Sequence, residues 1–280
     1  MELPTQQDTY DLVFEGTFLK DLPPSIKRYT YHSEHQVLSI IDAEFSRLDT
    51  STHASEFILF HTSKNILEHI FDPLRVDTSV ARFCTSFDIK EELLLITLMS
   101  TPHSEAASGM HYIMIKTLEP MELDMDLRGY AGATIQGNSR GKQADHGWGP
   151  TQRPPGQRDS PAVTLEVAYS ESDSKLNSDV RFWLNPNEGD ANVCLTLRIN
   201  RSRPEIRIEK WEKQNDRPHR SQTVWITRRA NQTNVAGHPL TIAFGSLFRR
   251  QPSSPAETDL LVSQQQLENL AQKIWNAQGW

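Results

Sequence analysis

The chain has 280 residues, a mass of 32.0 kDa and a formal net charge of -7, so it can bury a sizeable core in one domain or in one domain with an extension. No apolar run approaches the roughly 18 residues of a membrane span, and the first residues lack the basic and apolar segments of a secretion signal. Two distant cysteines, Cys84 and Cys194, predict a reducing intracellular compartment, cytoplasmic or nuclear, without a disulfide framework.

The charge is unevenly distributed along the chain. Residues 1–126 carry 9 basic and 21 acidic residues, whereas the remaining residues carry 20 basic and 15 acidic ones. A basic face on the C-terminal half could therefore meet the phosphates of a nucleic acid, although the overall negative charge does not favour such a partner. Two oppositely charged surfaces that attract one another would explain the pattern equally well. The oligomeric state is left open.

Residues 1–90 alternate short apolar runs with polar loops and contain no motif that carries chemistry. We predict that they form an N-terminal extension packed on a core domain of residues 91–280. The core begins with a strong strand at 91–100 and a helix at 104–118, with Glu105 in its first turn. A strand over 123–135 follows, loosened by Gly129 and Gly132.

Two acidic residues mark the next part of the chain. Asp145 stands at the start of a strand, and Glu166 lies within VTLEVAY, whose β-branched and aromatic residues predict a buried strand. A carboxylate in such a strand costs several kcal/mol unless it is paired, protonated or bound to a metal. The intervening prolines and Gly156 allow a hairpin that brings the two acids together. Two converging carboxylates favour Mg²⁺ or Mn²⁺ over zinc, because hard cations select oxygen ligands.

The remaining elements complete an α/β (α+β) pattern, in which a central mixed sheet is flanked by helices. From Ser104 onward the predicted order is helix, strand, strand, helix, strand. The predicted later elements are a helix at 173–184, strands at 191–200, 205–213, 222–228 and 240–249, and a closing helix at 258–275.

The segment from Lys142 to Leu184 resembles a known group of proteins. It reads KQADHGWGP, then LEVAYSES, then a Leu-x-x-Asp helix that ends in Trp-Leu. This combination is similar to a large set of mostly fungal proteins, and through them to the restriction-endonuclease-like superfamily and its bacterial endonuclease-type members. The superfamily signature is Pro-Asp, a spacer, and then Asp or Glu-x-Lys. The resemblance covers roughly residues 91–275 and implies a restriction-endonuclease-like core and a Mg²⁺-dependent nuclease.

The same resemblance implies roles for particular residues. Asp145 and Glu166 would hold the metal, with Glu105 in support. Two positions depart from the signature, because Ala144 replaces its proline and Ala168 replaces its catalytic lysine. A lysine from elsewhere would have to supply the missing charge near the attacking water.

Lys175, on the following helix, and Lys142, three residues before Asp145, are the candidates for that missing lysine. Each acid also has a purely structural interpretation. Glu166 could pair with an arginine, Asp145 could cap a turn, and Glu105 could interact with the helix dipole.

Two classes of function follow. The first is a Mg²⁺- or Mn²⁺-dependent phosphodiesterase that acts on DNA or RNA. The second is a protein that keeps the fold without nuclease chemistry, either as a binding protein or as a biosynthetic enzyme that holds a small molecule in the same cleft.

Overall fold

The computed structural model describes residues 18, 19, 22, 26–51, 54–71, 80–169, 173–230 and 232–280. Within these ranges no helix is both long enough and apolar enough to span a bilayer. The helices are α1 (Glu34–Thr50), α2 (Lys64–Ile70), α3 (Thr101–Leu118), α4 (Asp173–Leu184), α5 (Phe244–Phe248) and α6 (Gln264–Gln278).

The strands of the described ranges belong to three sheets. Their bounds are β1 (Lys27–Thr30), β2 (Phe57–His61), β3 (Cys84–Asp88), β4 (Leu93–Thr97), β5 (Leu127–Gly129), β6 (Thr134–Gln136), β7 (Arg140–Gln143), β8 (His146–Pro150), β9 (Val163–Ala168), β10 (Val193–Ile199), β11 (Glu205–Gln214), β12 (Arg217–Arg229), β13 (Gln232–Ala236), β14 (Leu240–Ile242) and β15 (Leu260–Val262).

The largest sheet has seven strands in the order β13-β12-β11-β10-β9-β8-β5. Strands β9 and β10 are parallel, and the other neighbours are antiparallel, so the sheet is mixed. Every residue of β9 is buried, as expected of a strand that is covered on both faces. The predicted α+β class, with a mixed sheet flanked by helices, is therefore confirmed.

A second sheet has six strands in the order β1-β2-β4-β3-β7-β6. Three of these strands precede residue 90, and β4, β6 and β7 follow it. The predicted division between an extension and a core therefore falls inside one sheet. Strand β7 belongs to this second sheet, whereas β8, only a few residues later, belongs to the first.

Three apolar clusters hold the layers together. One packs α3 and α6 against the seven-stranded sheet, and another packs α1 and α2 against the six-stranded sheet. The third lies between them and joins residues of both sheets to the apolar face of α4, including Val180, Phe182 and Trp183. Helix α4 is therefore buried in the middle of the molecule, and this position is unusual for a helix that carries charged residues.

The predicted strand at 123–135 is wrong in one respect. The chain turns after Gly129, and Gly132 has a φ of +70°, a conformation that favours glycine. Strand β5 then pairs with β8 in one sheet, and β6 pairs with β7 in the other. The glycines that loosen the pattern mark the place where the chain changes sheets.

Two other predicted boundaries shift. The predicted strand at 240–249 is the short strand β14 followed by α5. The predicted closing helix begins later, because the Ser263 hydroxyl accepts from the backbone N–H of Gln266 and the Gln266 side chain accepts from the backbone N–H of Ser263. The residues just before Ser263 pair as β15.

Close packing at Gly189 supplies a test of this arrangement. A Cβ at Gly189 would lie 2.7 Å from the Cα of Trp183, a backbone atom that cannot move aside cheaply. We expect Gly189→Ala to lower the free energy of unfolding by about 1–3 kcal/mol, as overpacking does. Gly245→Ala is the matched control, because its nearest contact would be an ordinary 3.5 Å. Equal denaturation midpoints for the two variants would contradict the packing described for α4.

Candidate functional site

Lys142 is the centre of a buried group of charged side chains. It projects from β7, and its Nζ lies 2.9 Å from Glu166 Oε2 on β9 and 2.9 Å from Asp179 Oδ1 on α4. The lysine side chain is 1% exposed, and the two acids are 4% and 2% exposed. One ammonium group therefore bridges the six-stranded sheet, the seven-stranded sheet and the helix between them.

Two further side chains complete this group. The Nε1 of Trp183 donates to Glu166 Oε1 at 2.6 Å, so both oxygens of Glu166 meet N–H donors. Lys175 lies one helical turn before Asp179, and its Nζ contacts both Asp179 oxygens, at 2.6 and 2.5 Å. Lys175 therefore pairs with Asp179, whereas Lys142 is the lysine that contacts Glu166.

Asp145 belongs to a second buried group beside the first. The register of β8 and β9, continued by one residue, places Asp145 across from Glu166. Its Oδ2 accepts from the backbone N–H of Val167 at 2.6 Å, and its Oδ1 lies 3.1 Å from His103 Nε2. The other ring nitrogen of His103 lies 3.3 Å from Glu56 Oε2. The imidazole thus lies between two carboxylates, with an ion-pair contact to each.

The two groups have unusual proton affinities. Burial lowers the pKa of His103, but Asp145 and Glu56 outweigh burial and raise it to about 10. Burial raises the pKa of Asp145, but His103 and Lys142 outweigh it, so this pKa lies below its ordinary value.

For Glu166, burial outweighs the attraction of Lys142 and raises the pKa to about 8. Burial also lowers the pKa of Lys175, whereas Asp179, Glu166 and Asp145 together outweigh burial and raise the pKa of Lys142.

The formal charges of the two groups do not cancel. With all acids ionised and the imidazole protonated, four carboxylates face two lysines and one histidine, which leaves one negative charge in excess. The members of this acid–lysine centre are Glu56, His103, Lys142, Asp145, Glu166, Lys175 and Asp179. A buried excess charge is costly unless a proton or a cation compensates it. Burial raises the pKa of Glu166 to about 8, so a proton on this acid is one way to compensate the excess charge.

Glu105 lies on a different face of α3 from His103, the residue of this helix that contacts the centre. Helix α3 begins at Thr101, capped by Ser100, so Glu105 is in the second turn and not in the first. His103 reaches Asp145 from this helix, and a residue two positions later points in nearly the opposite direction around a helix of 3.6 residues per turn. Among the described residues Glu105 has no hydrogen bond or ion pair with Asp145 or Glu166.

Sequence reasoning missed four members of the site. Asp179 and Trp183 lie in the helix motif that carried the resemblance, but no role was predicted for either beyond packing. Their signal was the pairing of Lys175 and Asp179 at a spacing of four residues on an otherwise apolar helix face. Glu56 and His103 gave no such signal, because their partners are distant in sequence.

The carboxylate oxygens of Asp145 and Glu166 are the kind of ligand that a hard cation selects. Within the described residues no group of three or more His, Cys, Asp or Glu side chains is arranged to hold a metal. Mg²⁺ and Mn²⁺ keep several waters and need only one or two carboxylates, but both oxygens of Asp145 and of Glu166 already contact N–H donors, so binding of such a cation would require at least one of these contacts to be released.

Fold and site together define a mixed α+β protein with a buried centre of acids and lysines. No protein-family model matches the chain, and no curated protein matches it. Among solved structures the chain is similar to "a putative nuclease belonging to DUF820" from Anabaena variabilis, with 12% sequence identity and a TM-score of 0.35. The match covers 64% of this chain and 87% of that one. This likeness is loose, so the chemistry of the centre rests on its own residues.

Removing one charged side chain from the buried centre should destabilise the fold strongly, whereas removing its oppositely charged partner as well should add little further destabilisation. We expect Lys142→Met to lower the free energy of unfolding by about 3–5 kcal/mol, because it leaves buried carboxylates unpaired. The double variant Lys142→Met with Glu166→Gln should be clearly less destabilised than the sum of its two single variants. Urea unfolding of all three proteins measures the difference. Additive effects would contradict the contact between the two side chains.

The histidine between two carboxylates should stay protonated in mildly alkaline solution. With a folded pKa of about 10 against 6.5 for the unfolded chain, its contribution to stability is complete below pH 6.5 and is lost as the pH rises through about 10. Nitrogen-15 NMR at pH 8 should show a protonated His103 ring and a neutral His146 ring, because burial lowers the pKa of His146 to about 4. A neutral His103 at pH 8 would refute the ion pairs with Asp145 and Glu56.

Proposed function

We propose that this protein is a Mg²⁺- or Mn²⁺-dependent phosphodiesterase that cleaves nucleic acid. One observation carries the proposal: Lys142 Nζ lies 2.9 Å from Glu166 Oε2, and its charge also lowers the pKa of Asp145. The set of two acids and a lysine that the nuclease resemblance requires is thus available, although Ala168 stands at the usual lysine position. Strand β7 supplies the ammonium group in place of β9.

Each member of the set has a chemical task in this proposal. Asp145 and Glu166 would hold the cation, which when bound polarises a phosphate oxygen and lowers the pKa of water. Lys142 places a positive charge beside Glu166, where it would stabilise the extra negative charge of a phosphorane-like transition state. His103 keeps Asp145 ionised, since its own pKa is raised to about 10. Glu166 must lose its proton before it can bind the cation.

A second candidate function is favoured by the burial of the same residues. Lys142, Glu166, Asp179 and Lys175 are each at most 4% exposed, so a nucleic-acid strand does not reach them without movement of the surrounding chain. In this alternative the charged residues stabilise the fold, and the protein is a nuclease-like binding protein or an enzyme that acts on a small molecule. The alternative predicts no cleavage at all.

Cleavage of single- and double-stranded DNA and of RNA in Mg²⁺ or Mn²⁺ tests the proposal. We expect wild-type protein to cleave at least one of them, and Glu166→Gln to reduce the rate on the order of 10²–10³-fold while the thermal unfolding curve stays cooperative. Glu105→Gln is the matched control. This substitution changes a half-buried carboxylate that has no described hydrogen bond or ion pair with Asp145 or Glu166, so it should leave the cleavage rate unchanged.

Two outcomes would contradict the phosphodiesterase proposal. Folded wild-type protein that cleaves none of these substrates would favour the second candidate. Equal losses in Glu166→Gln and Glu105→Gln would place the chemistry outside the acid–lysine centre.

A further inference from the structure

The strand register places a row of basic and aromatic side chains beside Ala168. On β10, Arg198 is the direct partner of Ala168, and on β11, Arg207 is the direct partner of Arg198. Trp225 on β12 continues the row as the partner of Arg207. Directly paired residues project from the same face of a sheet, and Glu166, two residues before Ala168, projects from that face too.

The two arginines share one carboxylate at this position. Asp173 Oδ1, at the start of α4, lies 3.0 Å from Arg198 and 2.5 Å from Arg207. The Asp173 side chain is 44% exposed, and the two arginine side chains are 26% and 17% exposed. Solvent therefore reaches this pair, in contrast to the nearly inaccessible lysines of the acid–lysine centre.

Two guanidinium groups converge on one carboxylate oxygen, Asp173 Oδ1. Each guanidinium offers a planar fork of donors, and this geometry also suits the oxygens of a phosphate group. Glu209 lies 3.5 Å from Arg207 and 2.7 Å from Arg220, so Asp173 is the nearer carboxylate to Arg207. Two like charges on directly paired residues repel one another, so an anion between them is favourable.

We propose that Arg198 and Arg207 bind a phosphate group of a nucleic-acid strand, and that Asp173 takes the place of this phosphate in the free protein. This inference rests on the proposed phosphodiesterase function, since it names the surface that would hold the strand next to Glu166. The pair lies beside Ala168, the position that the catalytic lysine has in the superfamily signature. Trp225, half-buried beside Arg207, adds an aromatic side chain of the kind on which bases stack.

Binding of a fluorescein-labelled single-stranded DNA oligonucleotide, measured by anisotropy in EDTA, tests the pair without any cleavage. We expect Arg198→Gln with Arg207→Gln to weaken binding on the order of tenfold and to reduce the salt dependence by about one ion per arginine. Arg203→Gln is the control, because this arginine is 66% exposed and pairs with Glu205 at the nearby turn. It should bind as the wild type does.

Asp173→Asn should change the affinity for the oligonucleotide in the opposite direction from the arginine variants. Removing the carboxylate that competes with phosphate should tighten binding of the oligonucleotide, and this gain should vanish when both arginines are also replaced by glutamine. Thermal unfolding of each variant checks that α4 is retained. Weaker binding in a folded Asp173→Asn variant would overturn the assignment.

The outcomes separate this inference from the proposed function. No binding of DNA by the wild type, or equal binding by the double glutamine variant, overturns the arginine site even if the protein cleaves DNA. Arginine-dependent binding without cleavage in Mg²⁺ supports the arginine site and contradicts the phosphodiesterase. Binding of inorganic phosphate, measured by calorimetry, without any binding of the oligonucleotide would assign the arginines to a free phosphate ligand and overturn the proposal as stated.

Discussion

The arrangement of the layers depends on the two ion pairs that the ammonium group of Lys142 makes with Glu166 and Asp179. Lys142 belongs to a strand of one sheet, Glu166 belongs to a strand of the other, and Asp179 belongs to the helix between them. Moving these charges out of water is expensive, so the geometry is favourable only while all partners are present. The apolar residues around α4 bring the layers together without fixing how they are positioned relative to one another. The charged side chains require the relative position in which each of them has its partners.

The second group of charges extends this constraint to α3 and the N-terminal part of the chain. His103 joins Asp145 to Glu56, and Glu56 Oε1 also accepts from the backbone N–H of Tyr169 at 2.6 Å. The end of β9 and the residue that follows it are thus held by acids from two separate parts of the sequence, Asp145 at Val167 and Glu56 at Tyr169. The burial of these charged side chains also limits access to them.

Ala168 carries no charge on the face of β9 that also carries Glu166, and two cations approach this face from other strands. A lysine side chain on β9 would project from the face that carries Glu166, and that face is reached from two other directions. Lys142 approaches from β7 across the interface, and Arg198 approaches along the sheet from β10. The first is buried and the second is partly accessible, so the two cations have different surroundings.

The sequence by itself determined the α+β class, the buried strand around Glu166, the strand of Cys194 and the helix that carries Lys175, because each follows from local periodicity and capping. It also identified Asp145, Glu166 and Lys142 as candidates. It did not determine the division of residues 123–135 between two sheets or the direction in which Glu105 projects from α3. It also did not identify Asp179, His103 and Glu56 as members of the centre. Those depend on the helix phase of α3 and on contacts between residues far apart in the chain, such as Glu56 with His103. Only the tertiary structure decided them, since a charge is compensated by what lies near it in space and not in sequence.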